Sequence, residues 1–136
     1  MVLYCDASAV VKLVFDEPES AALRQWLATS PGEPVVSDLG RAEVLRAVRR
    51  FEPGRLGEAV DVLGRFSRVR VDGRVFDAAA TIGGPLLRTL DAIHLAAAAR
   101  LGDQLRAVVT YDQRMAAAAQ ETGLRVFAPG VGTSTT

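Results

Sequence analysis

Residues 2–11 read VLYCDASAVV. The short apolar run Val2–Cys5 stops at an acid, Asp6. From Ser8 to Phe15 the apolar residues Ala9, Val10, Leu13 and Val14 then recur at helical spacing. A brief buried run ended by an acid and followed at once by the 3.6-residue period is a strand handed directly to a helix. The same hand-over recurs along the chain. Val35 and Val36 lead into Ser37 and Asp38, either of which can cap a helix carrying Val44, Val48 and Phe51 as an apolar stripe. RVRVDG, Arg68 to Gly73, alternates polar and apolar as a half-exposed edge strand does, and precedes a helix from about Arg74 to Ile82. AVVTY, Ala107 to Tyr111, is the clearest buried strand. Asp112 follows it, then a helix from Gln113 to about Thr122 and a last strand within Leu124–Phe127. Strands separated by helices imply right-handed crossovers and a mainly parallel sheet covered on both faces.

The intervening segments are helical. Pro18 suits the first turn of a helix running through Trp26 and Leu27. Leu56, Val60, Leu63 and Phe66 mark another. LLRTLDAIHLAAAARLG, Leu86 to Gly102, places Asp91 and the only histidine, His94, at the head of an alanine-rich buried helix.

At 136 residues the chain suits one domain, long enough to bury a core without a disulfide or metal staple. With Cys5 as the lone cysteine, an internal disulfide framework and a cysteine-based zinc site are both excluded. A buried Cys5 and the lack of a basic stretch ahead of Asp6 point to a reduced, cytoplasmic protein without a signal peptide. No apolar run reaches the roughly 18–20 residues of a membrane span. Sixteen basic residues balance sixteen acidic ones, which argues against a polybasic nucleic-acid binder but leaves room for a nucleic-acid enzyme with segregated charge.

Asp6, Asp38, Asp72 and Asp112 all fall where a strand gives way to a helix. Aspartate is a favoured N-cap there, contributing about 1 kcal/mol, and Asp38 and Asp72 need no further role. Asp6 and Asp112 follow the two most apolar strands, which should lie side by side. Carboxylates about 4 Å apart at an effective dielectric near 20 repel by roughly 4 kcal/mol. Capping gives no reason to accept that, whereas a divalent cation relieves it. Glu43, beside the Val44 stripe, is either a solvated edge residue or a further acid of the same site. Asp91 is either the cap of its helix or a carboxylate held rigid by it. His94 reads as a satisfied structural residue.

Four segments carry a resemblance: YCDASAVVKLVFDEPES from Tyr4, SDLGRAEVLRAVRR from Ser37, LRTLDAIHLAAA from Leu87 and VVTYDQRMAAAAQETGLRVFAPG from Val108. In order and spacing they resemble the PIN-domain ribonucleases, and among these the VapC-type toxins of type II toxin–antitoxin systems. Each motif is weak alone, and four in order over Met1–Gly130 are specific. The resemblance implies an α/β fold, a PIN-like three-layer α/β/α sandwich, as a single domain over 1–130 with a flexible C-terminal tail over 131–136. It implies that Asp6, Glu43, Asp91 and Asp112 are catalytic and hold Mg2+ or Mn2+, with Ser8 and Thr110 as supporting hydroxyls. Hard cations prefer carboxylate oxygen, which suits this donor set. The expected reaction is metal-assisted hydrolysis of RNA phosphodiesters, leaving a 5′-phosphate and a 3′-hydroxyl. Arg41, Arg46 and Arg88, with Arg49 and Arg50, are candidates for contacting phosphate. The expected partners are RNA, a cognate VapB-type antitoxin that blocks the acids, and a second copy of the chain in a homodimer.

Rival readings are weaker. A haloacid-type phosphatase calls for a second acid two positions after Asp6, where Ser8 stands. A phospho-receiver needs a lysine after a late strand, and the sole lysine is Lys12. A non-catalytic PIN-like nucleic-acid-binding or scaffold module is the remaining alternative, and four intact acids speak against it.

Overall fold

The computed structural model describes residues 1–132. One five-stranded sheet organises them, in the order β3-β2-β1-β4-β5. Its strands are β1 (Val2–Cys5), β2 (Glu33–Ser37), β3 (Ser67–Val69), β4 (Leu105–Val109) and β5 (Val126–Phe127), and every pairing is parallel. Helices α1 (Ala7–Val11), α2 (Ser20–Thr29), α3 (Asp38–Phe51), α4 (Leu56–Leu63), α5 (Gly73–Ala79), α6 (Thr89–Ala99) and α7 (Gln113–Glu121) connect them. The expected tail begins at 131. Val131 still donates its amide to the Ala128 carbonyl, and residues 133–136 lie outside the described residues.

The period of two in each strand assigns its side chains to two cores. Leu3, Cys5, Val36, Ala107 and Val109 point to one face, where Val10, Leu23, Val44, Val48 and Leu63 close over them. Tyr4, Val35 and Val108 point to the other, covered by Val75, Ile93, Leu95, Met115 and the alanines of α6 and α7. The result is a three-layer α/β/α sandwich. Alanine is the residue that lets α6 lie close on the sheet: Ala96, Ala97 and Ala98 are all fully enclosed. Among the described residues no helix is long and apolar enough to cross a membrane.

Several elements differ from expectation in their ends. The first helix stops at Val11 instead of Phe15, and the chain continues in tight turns, with Lys12, Leu13 and Val14 amides bonding carbonyls three residues back. Pro18 stands outside α2, which begins at Ser20. The Ser20 hydroxyl accepts from the Glu17 amide and donates to the Phe15 carbonyl, so it fixes the turn before the helix. Phe51 is 73% exposed although it shares the stripe of Val44 and Val48. Phe51 is the last residue of α3, and its ring meets that of Phe15 in a T-shaped pair with centroids 6.4 Å apart. Val60 likewise faces outward, and Ala59, Val62 and Leu63 form the buried side of α4.

The strand order fixes where a site can form. From β1 the chain moves outward through β2 and β3, then returns to the other side of β1 for β4 and β5. The direction of winding therefore reverses between β1 and β4. In open α/β sheets ligands bind beyond the carboxyl ends of the strands at such a switch point. Asp6 ends β1 there, and Thr110 and Asp112 lie just past the end of β4.

Candidate active site

Asp6 is 5% exposed and is held from three directions. Its Oδ1 accepts from the Ser8 hydroxyl at 2.6 Å and from the Ala9 amide at 3.2 Å, so it caps α1. Its Oδ2 accepts from the Thr110 hydroxyl at 2.5 Å. Ser8 and Thr110 also bind the neighbouring strand end. Ser8 Oγ accepts from the Tyr111 amide at 2.9 Å, and Thr110 Oγ1 accepts from the Asp112 amide at 3.1 Å. Two hydroxyls thus splice the end of β1 to the end of β4, with a carboxylate at the centre.

Asp112 caps α7, Oδ1 accepting from the Arg114 and Met115 amides at 2.9 and 3.3 Å. Asp91 does not cap α6. The helix starts two residues earlier, at Thr89, after an Arg88 whose side chain makes no capping bond. Asp91 therefore sits in the first turn, where an acid complements the helix dipole. Asp38 does not cap α3 either. Ser37 does so through the Gly40 amide, and Asp38 pairs with Arg68. Asp72 caps α5. Glu43, on α3, pairs with His94: Nε2 of the imidazole lies 2.5 Å from Oε1.

The electrostatics single out two of these carboxyls. Burial pushes Asp6 above the ordinary carboxylate range despite the opposing hydrogen bonds from Ser8 and Thr110. Asp91 is raised by burial and then by the charge of Asp112, which Arg114 and Arg88 offset in part. A carboxyl whose folded pKa is raised stabilises the fold fully below its unfolded pKa, and that contribution is lost as pH rises through the folded pKa. In chelator, the stability of the wild type relative to Asp6→Asn should therefore fall as pH climbs above about 4. Added Mg2+ should reverse the loss. Thermal melts at stepped pH in EDTA and in Mg2+ measure this, and a wild type that gains stability over Asp6→Asn as pH rises in EDTA contradicts it.

The donor set fits a hard divalent cation in chemistry: Asp6, Glu43, Asp91 and Asp112 offer only carboxylate oxygen. A divalent cation would offset the burial of Asp6 and the repulsion between Asp91 and Asp112. Among the described residues, however, no three histidine, cysteine or acidic side chains stand close enough together to share one ion. Asp6 spends its oxygens on Ser8, Ala9 and Thr110, and Glu43 turns to His94.

The arginines divide between two places. Arg88 and Arg114 line a cleft of about 560 Å³ with Asp91, Leu87, Ala117 and Glu121. Arg46, Arg49 and Arg50 form a separate recess on α3, of about 220 Å³, and Arg41 is half-buried on the same helix. Arg114 is a neighbour of Asp91 that the sequence pattern passes over, because it sits on a different helix. The pairing of His94 with Tyr4 was also missed. Tyr4 alternates with Leu3 and Cys5 in β1, so its hydroxyl is carried into the other core, where it must find a partner. That much was readable; which partner was not.

An all-parallel three-layer sandwich with acids at its switch point is the class that fold and site define. The chain belongs to the PIN-domain family, whose model matches residues 3–121. It is 46% identical over 127 residues to ribonuclease VapC46 of Mycobacterium tuberculosis, covering 93% of this chain and 97% of that protein. It is 41% identical over 133 residues to ribonuclease VapC47 of the same species, covering 95% and 98%. Its fold matches a chain of a toxin–antitoxin complex from Klebsiella pneumoniae with a TM-score of 0.66 at 18% identity, over 86% of this chain and 91% of that one.

Proposed function

We propose that this chain is an endoribonuclease toxin of the VapC type, that its hydrolysis of RNA phosphodiesters depends on Mg2+ or Mn2+, and that a cognate antitoxin restrains it. The observation that carries the reading is Asp6 at the switch point, buried and fixed by two hydroxyls beside the end of β4. Near full-length likeness to two proteins named ribonucleases supports the activity. The toxin–antitoxin assembly of a protein with the same fold supports the partner class. A homodimer in the cytoplasm belongs to the same proposal.

Asp6, Asp91 and Asp112 would hold the ion, and Glu43 would hold it or orient the attacking water. When bound, the ion supplies a Lewis acid that makes a water more acidic and neutralises phosphate charge. The chain's own part is positioning. Ser8 and Thr110 keep Asp6 in one rotamer, α6 presents Asp91 from a rigid wall, and Arg88 and Arg114 offer counter-charge to phosphate beside it.

The separation of the acids favours one rival, a non-catalytic PIN-like nucleic-acid-binding or scaffold module. One assay decides between them. Purified chain is incubated with structured RNAs in Mg2+, Mn2+ or EDTA, beside Asp91→Asn. Cleavage in either metal, lost in EDTA and in the variant, is the expected result. Metal-independent cleavage overturns the mechanism, and metal-independent RNA binding without cleavage favours the module.

A further inference from the structure

His94 lies one turn beyond Asp91 on α6 and is 5% exposed. Its imidazole sits in a slot between elements distant in sequence. Nδ1 is 2.7 Å from the hydroxyl of the fully buried Tyr4 on β1, and the two rings meet edge to face at 5.9 Å. Nε2 is 2.5 Å from Glu43 Oε1 on α3. Gly40 borders this slot: a Cβ there would press on Val36 Cγ2 at 3.0 Å, while His94 Cε1 at 3.5 Å would be in ordinary contact.

The donors and acceptors in this slot admit one consistent order. A phenol keeps its proton at neutral pH, and the fully buried Tyr4 hydroxyl needs an acceptor for it. The Glu43 carboxylate can only accept, so the Nε2 that faces it carries the proton of a neutral imidazole. The phenol proton then goes to Nδ1. An imidazole accepting at Nδ1 carries its proton on Nε2, the atom facing the Glu43 carboxylate.

We propose that His94 is a positioning residue, held by Tyr4 as the Nε2–H tautomer and donating to Glu43 Oε1 so that Oε2 is presented to the reacting water or ion. The catalytic consequence rests on the ribonuclease reading, and the hydrogen-bond relay does not. Partners of this kind, one step removed from the reacting groups, typically change metal affinity or activity by roughly 10–100-fold.

Because His94 is the only histidine, a 15N spectrum of the imidazole reads its tautomer without ambiguity. The metal-free wild type should show a protonated Nε2 and an accepting Nδ1, and Tyr4→Phe should mix the two tautomers. A wild type with the proton on Nδ1, or evenly mixed, overturns the relay. The second arm compares His94→Ala with His94→Gln, whose amide N–H can still reach Glu43. Mn2+ affinity and kcat should each fall roughly tenfold or more in the alanine variant and largely recover in the glutamine variant, with KM held within about twofold. Equal behaviour of the two overturns the positioning role. If His94→Ala does not fold, Tyr4→Phe takes its place, with a smaller fall in both quantities expected and no fall counting against the role. If the wild type cleaves no RNA, the ribonuclease reading fails alone, while tautomer and Mn2+ affinity still decide the relay.

Discussion

Asp6→Asn should lower RNA cleavage by at least about a thousandfold, equivalent to roughly 4 kcal/mol of barrier, with melting temperature held or raised. The two effects separate because Asp6 has two roles. As a charge it is the carboxylate proposed to hold the ion, a role that an amide cannot fill. As a shape it accepts from Ser8, Thr110 and the Ala9 amide. An asparagine keeps Oδ1 as acceptor for the Ala9 amide and the Ser8 hydroxyl, and the Thr110 hydroxyl can rotate to accept from its Nδ2. It also removes a carboxylate that burial disfavours in its ionised form. Single-turnover cleavage beside a thermal melt measures both. Residual cleavage near a tenth of wild type would remove Asp6 from the centre of the chemistry. A large drop in melting temperature would mean that the charge holds the fold together.

Leu95→Ala should destabilise the protein by about 2–5 kcal/mol, the range for emptying a leucine site in a close-packed core. Leu95 is 0% exposed and lies one turn past Asp91, on the side of α6 that packs in the second core. The neighbouring residues on α6 are mostly alanines, which have no side chain long enough to refill the space. The expected fall in melting temperature is about 10 °C. Leu86→Ala is the contrast: Leu86 is 95% exposed, and its loss should change stability by less than about 0.5 kcal/mol. Urea unfolding of both variants tests the pair. Equal effects would mean that α6 is not the rigid support proposed for Asp91.

The strand–acid–helix hand-overs made the architecture readable, because a short apolar run stopped by an acid and followed by helix-forming sequence, as at Asp6 and Asp112, is a local signal. Helix ends were less readable. Pro18 carries an N-terminal signal, yet Ser20 sets the start of α2 through its bonds to Glu17 and Phe15. Phe51 follows the stripe of Val44 and Val48 and still faces water, because spacing states which side of a helix a residue occupies and not what packs against it there. The site shows the same division. Asp91 was open to reading as a cap, and only the position of Arg88 and Thr89 places it in the first turn.

By itself the sequence determined the class of fold and the parallel direction of the strands, since both follow from residue type and spacing along the chain; the set of candidate acids came from the family resemblance. The tertiary structure decided which of these residues meet. Strand order puts the switch point between β1 and β4 and so gathers Asp6, Ser8 and Thr110. His94 on α6 meets Glu43 on α3 and Tyr4 on β1 over sequence separations of 51 and 90 residues. Local propensity carries no information about contacts at that range. They are set by the packing of two helices and a strand around one imidazole.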